Sequence, residues 1–171
     1  SAYREWDLRA LRIGEGSPAA NRSVADVERS FAPARVFIYR VRQDGVIADA
    51  EPGTALRQGD TVVLGARRHV ILAHAASVGT EVEDRELLDF PVAAMDVVLT
   101  NKRLADLTLE ELAADHGRGI VLLKLVRGGE EIPFAPDTEL NRGDLLRLAG
   151  AKADVERAGK ALGYIERPSS E

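Results

Sequence analysis

The chain has 171 residues, 45% of them hydrophobic and 30% charged, with a formal net charge of -5 and no cysteine. The missing cysteines exclude disulfides, thiolate catalysis and cysteine-ligated metals, and accord with a reducing compartment. The acidic balance argues against a nucleic-acid binder, which presents a basic face, and the apolar content argues against general disorder. The longest apolar runs, such as residues 120–126, stop at strand length and do not read as membrane spans. The Ser1-Ala2 start has neither the basic nor the hydrophobic segment of a signal peptide and reads as a cloning remnant.

Offset by 84 residues, the chain matches itself: Gly45, Pro52, Thr54, Leu56, Gly59, Asp60, Leu64 and Gly79 recur as Gly129, Pro136, Thr138, Leu140, Gly143, Asp144, Leu148 and Gly163. These are turn formers and core positions, so the repeat first specifies a shape used twice. In chain order, Leu8, Leu11 and Ile13 predict an opening strand, matched by Met95, Val97 and Val98 in the second copy. A helix follows each strand. Thr108 and Glu111 form a capping-box pattern with Leu107 and Leu112 at the staple positions, and Leu109, Leu112 and Ala113 make the apolar stripe. The first copy has Ser23 and Asp26, with a stripe of Val24, Val27 and Phe31, but Arg22 stands where the second copy has Leu107.

Strands are predicted next over 36–41 and 120–126, entering hairpins at Asp44-Gly45 and Gly128-Gly129. A shorter arm leads to Pro52 and Pro136. Gly59-Asp60 and Gly143-Asp144 then mark turns in which aspartate accepts nearby backbone N–H groups, before strands over 61–64 and 145–148. Val70, Ile71, His74 and Val78 mark a closing helix in copy one; Val155, Ala158 and Leu162 mark it in copy two, with Gly79 and Gly163 as terminators. The expected fold is α+β: two tandem β-α-β-β-β-α lobes, each a small, mainly antiparallel sheet with helices packed against it. The expected boundaries are a first domain over 1–80, an acidic surface linker over 81–92 whose Leu87, Leu88 and Phe90 pin the lobes together, a second domain over 93–165 and a tail over 166–171.

The segment 104–112 with its Thr-Leu-x-x-Leu motif, the strand and hairpin over 119–129, and the P-x-x-x-L-x-x-G-D-x-L-x-x-x-G pattern from Pro136 to Gly150 resemble the TrkA-C, or RCK-C, domain. Copy one keeps Pro52-Gly53-Thr54-Ala55-Leu56 and Gly59-Asp60, but its Gly65 falls one position earlier than Gly150, so its last strand is expected to end differently. The tandem pair, the stretch from Val97 to Asn101 and the acidic segment from Glu83 to Asp89 are similar to the cytoplasmic portion of the aspartate:alanine exchanger family. That resemblance implies a regulatory or coupling domain between transmembrane halves of the same bacterial inner-membrane protein, a homodimer, and a C-terminal tail leading toward a membrane span. The alternatives are a structural oligomerisation module without an effector, and a free regulatory subunit of a cation channel.

His69, His74 and His116 lack metal-ligand spacing, and no nucleophile elbow, H-E-x-x-H or P-loop occurs, so neither catalytic residue nor metal nor cofactor is expected. The acidic clusters read as solvated faces. Binding is the stronger idea. The resemblance implies a small anionic effector, such as a cyclic dinucleotide, and the matching surface residues are Lys124, Arg127, Ile132, Pro133 and Phe134. The plain structural alternative is that Ile132 and Phe134 are core and that the two cations are solvated hairpin charges. Copy one has Ala48-Asp49-Ala50 at the positions of the last three, so two equivalent effector sites are not expected.

Overall fold

The computed structural model describes residues 6–168. The Ser1-Ala2 start and the last three residues of the expected tail lie outside the described residues. The chain divides into two compact units, Ser1–Phe90 and Pro91–Glu171.

In the first unit the order is β1 (Trp6–Arg12), α1 (Val24–Ser30), β2 (Phe37–Gln43), β3 (Val46–Asp49), β4 (Thr61–Arg67), α2 (Arg68–Val78), β5 (Thr80–Glu81) and α3 (Arg85–Leu88). In the second it is β6 (Val92–Leu99), α4 (Leu109–His116), β7 (Ile120–Arg127), β8 (Glu130–Ile132), β9 (Leu145–Ala151), α5 (Lys152–Leu162) and β10 (Gly163–Pro168). The sheets run β3-β2-β4-β1-β5 and β10-β6-β9-β7-β8, which is one order read from opposite ends. Each pairing within them is antiparallel.

Both hairpins turn as their residues dictate. Asp44 and Gly45 have φ of 51° and 79°, and Gly128 and Gly129 have 59° and 80°, the paired positive values of a tight two-residue turn. Equivalent loops make equivalent bonds: the Asn21 amide donates to the Leu56 carbonyl, as Asp106 does to Leu140, both at 2.8 Å. The repeat is not in constant register, however. Leu11 stands opposite Val62 and Val97 opposite Leu146, so the first strands correspond at one spacing and the β4 and β9 strands at a spacing shorter by about two residues. Insertions in the first unit's loops absorb the difference.

The α4 capping box is complete: Thr108 Oγ1 accepts from the Glu111 amide (3.1 Å), and the Glu111 carboxylate accepts from the Thr108 amide (3.0 Å). Those bonds hold the Glu111 carboxyl below its ordinary pKa, the Thr108 amide being the leading cause. In α1 only half the box forms, since Ser23 caps the Asp26 amide while the Asp26 carboxylate turns to Arg29. Thr108→Ala should therefore destabilise the second unit by about 1 kcal/mol, read as a lower urea midpoint at unchanged slope.

The displaced glycine does not shorten β4, which ends at Arg67 as β9 ends at Ala151. The two glycines solve different packing problems instead. A Cβ on Gly65 would strike the Tyr39 ring, whereas one on Gly150, at φ 155°, would strike the backbone carbonyl of Gly119. A ring edge can shift more readily than a backbone carbonyl, and Gly150 also holds a positive φ, so Gly150→Ala should cost about 2–3 kcal/mol, more than Gly65→Ala. Parallel denaturation curves of the two variants would rank them.

The largest departure from expectation is the segment 81–92. It is not a surface linker: residues 81–90 fold onto the first unit. The α3 turn packs on β1, β2 and β4, on the sheet face opposite the main core, and Leu87 is 0% exposed. Phe90 stacks on Tyr39 with ring centroids 5.7 Å apart. Two arginines of β2 hold this strap. Arg40 Nη1 donates to the carbonyls of Leu87 (3.1 Å) and Asp89 (3.2 Å), and Arg42 grips Asp84 through two bonds of 2.9 Å. Asp84 also caps the turn by accepting from the Leu87 amide.

The Arg42 bond first, and then the Leu87 amide, hold the Asp84 carboxyl below its ordinary pKa against the effect of desolvation. A carboxyl whose folded pKa is depressed contributes stability above its unfolded value and loses it as pH falls through the folded one. The strap should therefore loosen below about pH 4. Amide exchange at Leu87 between neutral and acid pH would show it, and Asp84→Asn should remove the pH dependence.

Candidate functional site

The expected effector surface lies on the β7–β8 hairpin, and its five residues divide. Ile132 stands opposite Leu125 and packs against the second unit's core. Pro133 is exposed, and Phe134 is 40% exposed, which makes it an exposed apolar side chain where the first unit has the buried Ala50. Lys124 sits 3.7 Å from the Glu131 carboxylate.

Arg127 is not an outward-facing cation. Its Nε and Nη2 donate to the two carboxylate oxygens of Asp144, each at 2.8 Å, and Nη2 also reaches the Glu139 carbonyl at 2.9 Å. Asp144 is 1% exposed and accepts from the Asn141 amide as well. A buried carboxylate is costly unless paired and hydrogen-bonded, so Arg127 is the group that lets this turn close. The same bonds raise the Arg127 pKa and keep it charged.

The first unit does the same work with a neutral residue. Gln43 Nε2 donates to Asp60 (2.8 Å) and to the Ala55 carbonyl (2.7 Å), and the Arg57 amide donates to Asp60. The Gly-Asp pairs are thus turn locks closed from the adjoining hairpin strand. Sequence comparison could have found this partner, since Gln43 and Arg127 are 84 positions apart, the spacing of the repeat.

The strap also explains a difference between the sheets. Ala10 and Val63 face each other in the first unit and are buried beneath it. Their equivalents are Asp96 and Arg147, joined by bonds of 2.7 and 3.1 Å. The strapped face is apolar at these positions, and the partly exposed face of the second sheet carries an ion pair there.

Of the histidines, His69 and His74 are exposed, His74 lying against the Phe31 ring, while His116 is in the last turn of α4. Among the described residues, they do not gather with carboxylates into a metal-binding group of three.

Residues 94–163 match the family model of the TrkA-C domain. The matched stretch runs from within β6 to the first residue of β10 and includes the Asp144 turn lock and the β7–β8 hairpin. Over almost its whole length the chain is also similar to proteins described as uncharacterized transporters. One, of Bradyrhizobium diazoefficiens, is 44% identical over 171 residues, 99% of this chain and 33% of the relative. Another, of Bordetella parapertussis, is 36% identical over 167 residues, 94% of this chain and 29% of the relative. The chain therefore spans about a third of the length of the curated relatives it matches.

Among solved structures, an RCK domain with cda is 26% identical, with 41% of this chain and 97% of that one covered, at a TM-score of 0.38. The GsuK RCK domain is 11% identical, with 94% and 64% covered, at a TM-score of 0.40. Among the described residues no helix is long and apolar enough to cross a membrane.

Proposed function

We propose that this chain is a non-catalytic regulatory or coupling segment of a membrane transporter, in which the first unit is a second, diverged TrkA-C-like domain. The observation that carries the reading is the alignment of nearly the entire chain with one third of a transporter-named relative at 44% identity. The remaining two thirds of such a protein would supply the membrane-spanning parts that transport solute. The finer proposal is an amino-acid exchanger of the bacterial inner membrane, with this segment on the cytoplasmic side and the assembly a homodimer. Effector binding or assembly would shift the population of two arrangements, and the segment would pass that bias to the membrane parts.

An anionic effector on the second unit would meet Lys124, Pro133 and Phe134, because Arg127 is engaged by Asp144. That engagement also favours the second reading, a bracing or oligomerisation module without an effector. A free channel subunit is the third. The deciding experiment replaces the segment by a flexible linker in the full-length protein and measures uptake together with membrane insertion. Altered flux or effector response at normal insertion supports regulation. Unchanged flux and response at normal insertion reject it, and a changed oligomeric state with unchanged flux selects the bracing reading.

A further inference from the structure

The first unit contains a cleft at Arg22, where the second unit carries the core-packed Leu107. A space of about 240 Å³ opens between α1, α2 and the loop preceding α1. Ala19, Val27, Phe31 and Val78 form its apolar wall, and Arg22 and Ser77 stand among its polar lining. Its volume lies below the roughly 300–1,000 Å³ of pockets that take drug-sized molecules, so its occupant must be compact.

Loop hydrogen bonds fix the correspondence with the second unit. The Leu56 amide donates to the Arg22 carbonyl as Leu140 does to Leu107, and the Val24 amide donates to Thr54 as Leu109 does to Thr138. Arg22 thus corresponds to Leu107. Nearer Ser17 the two loops differ by one residue: the Ala19 and Ala20 amides donate to Ser17 as the Arg103 and Leu104 amides donate to Asn101, so Leu104 matches Ala20, the neighbour of Ala19. Leu104 is buried in the second core and Leu107 packs against it. The second unit thus has a core-packed leucine where the first has the lining residue Arg22, and another beside the position of Ala19.

The opening is preformed. Ser17 Oγ donates to the Val78 carbonyl at 2.7 Å, and the Asn21 amide donates to the Leu56 carbonyl at 2.8 Å, so both ends of the loop wall are tied down. The cleft also has a charge preference. Ser30 Oγ and Ser77 Oγ donate to carbonyls of their own helices, which leaves Arg22 as the lining cation. Arg22 Nη2 donates to the Asp26 carbonyl at 3.2 Å, a bond that occupies one of the five N–H donors of a guanidinium. Ser30 and Val78 are the final residues of α1 and α2, and carbonyl-rich helix ends disfavour an anion. A negative group is therefore directed to the Arg22 end and an apolar body to the wall.

We infer that this cleft binds a small carboxylate with a compact apolar body, its carboxylate on Arg22 and its body against Ala19, Val27 and Val78. The residues that line the site all belong to the first unit.

The probes are isovalerate and its neutral amide, titrated into the 171-residue chain while backbone amide resonances are followed. Isovalerate should give saturable shifts at Ala19, Ala20, Phe31 and Val78, with a Kd on the order of 1 mM. The amide should bind several-fold more weakly. Arg22→Leu should erase the preference for the acid. The double variant Ala19→Leu/Arg22→Leu, which puts two leucine side chains into the cleft, should abolish binding and leave the other resonances in place. Non-saturating shifts, equal binding of acid and amide, or binding retained by a folded double variant would overturn the inference. The comparison of acid with amide on the unaltered chain decides even if the double variant does not fold.

Discussion

Arg127→Ala should destabilise the second unit by about 2–3 kcal/mol, and Arg127→Gln should recover most of the loss. Removing the guanidinium leaves the Asp144 carboxylate buried with the Asn141 amide and without its two strongest donors. Breaking a buried pair from one side costs about 3–5 kcal/mol; the expected value is lower because the Arg127 side chain is partly exposed. Glutamine is the informative replacement, since Gln43 closes the equivalent turn on Asp60 and the Ala55 carbonyl. For a unit of this size a loss of 1 kcal/mol lowers Tm by about 4–8 °C. Urea unfolding followed at second-unit amides would rank unaltered chain, Gln and Ala in that order. Equal stability of Gln and Ala would mean that charge rather than hydrogen bonding closes the turn.

The second large effect falls on the strap. Leu87→Ala should cost about 2–4 kcal/mol, because Leu87 is fully buried in the first unit. The loss should appear as local opening before global unfolding, since α3 is a single short turn held by Arg40 and Arg42. Amides of residues 87–90 should exchange faster, and proteolysis should begin in the strap. A solvated linker would instead give an unchanged unfolding curve.

The features that sequence reading located are those whose cause is local. Asp44-Gly45 and Gly128-Gly129 announce positive φ, and Thr108 with Glu111 announces a cap that closes as expected. The features it misplaced are set by partners far along the chain. Arg85–Leu88 carries acids around a leucine pair and looks solvated. Its burial depends on Arg40 and Arg42, more than forty positions earlier. Arg127 looks like a free hairpin charge until the fold brings Asp144 beneath it. The strands β5 and β10 are hidden because Gly79 and Gly163 mark helix ends without telling where the chain goes next. The cleft at Arg22 is half legible: an arginine in place of the staple leucine stands in the sequence, but only the fold brings it together with Ala19, Val27 and Val78.

The most direct test of a regulatory or coupling role uses the graded damage of Arg127 inside the full-length protein. Arg127→Ala and Arg127→Gln would be compared with the unaltered protein for solute flux and its response to candidate effectors, at matched membrane insertion. A coupling segment predicts altered flux or response for Ala and restoration by Gln, in step with second-unit stability. Identical flux and response for all three, with the Ala variant inserted but its second unit unfolded, would contradict the account.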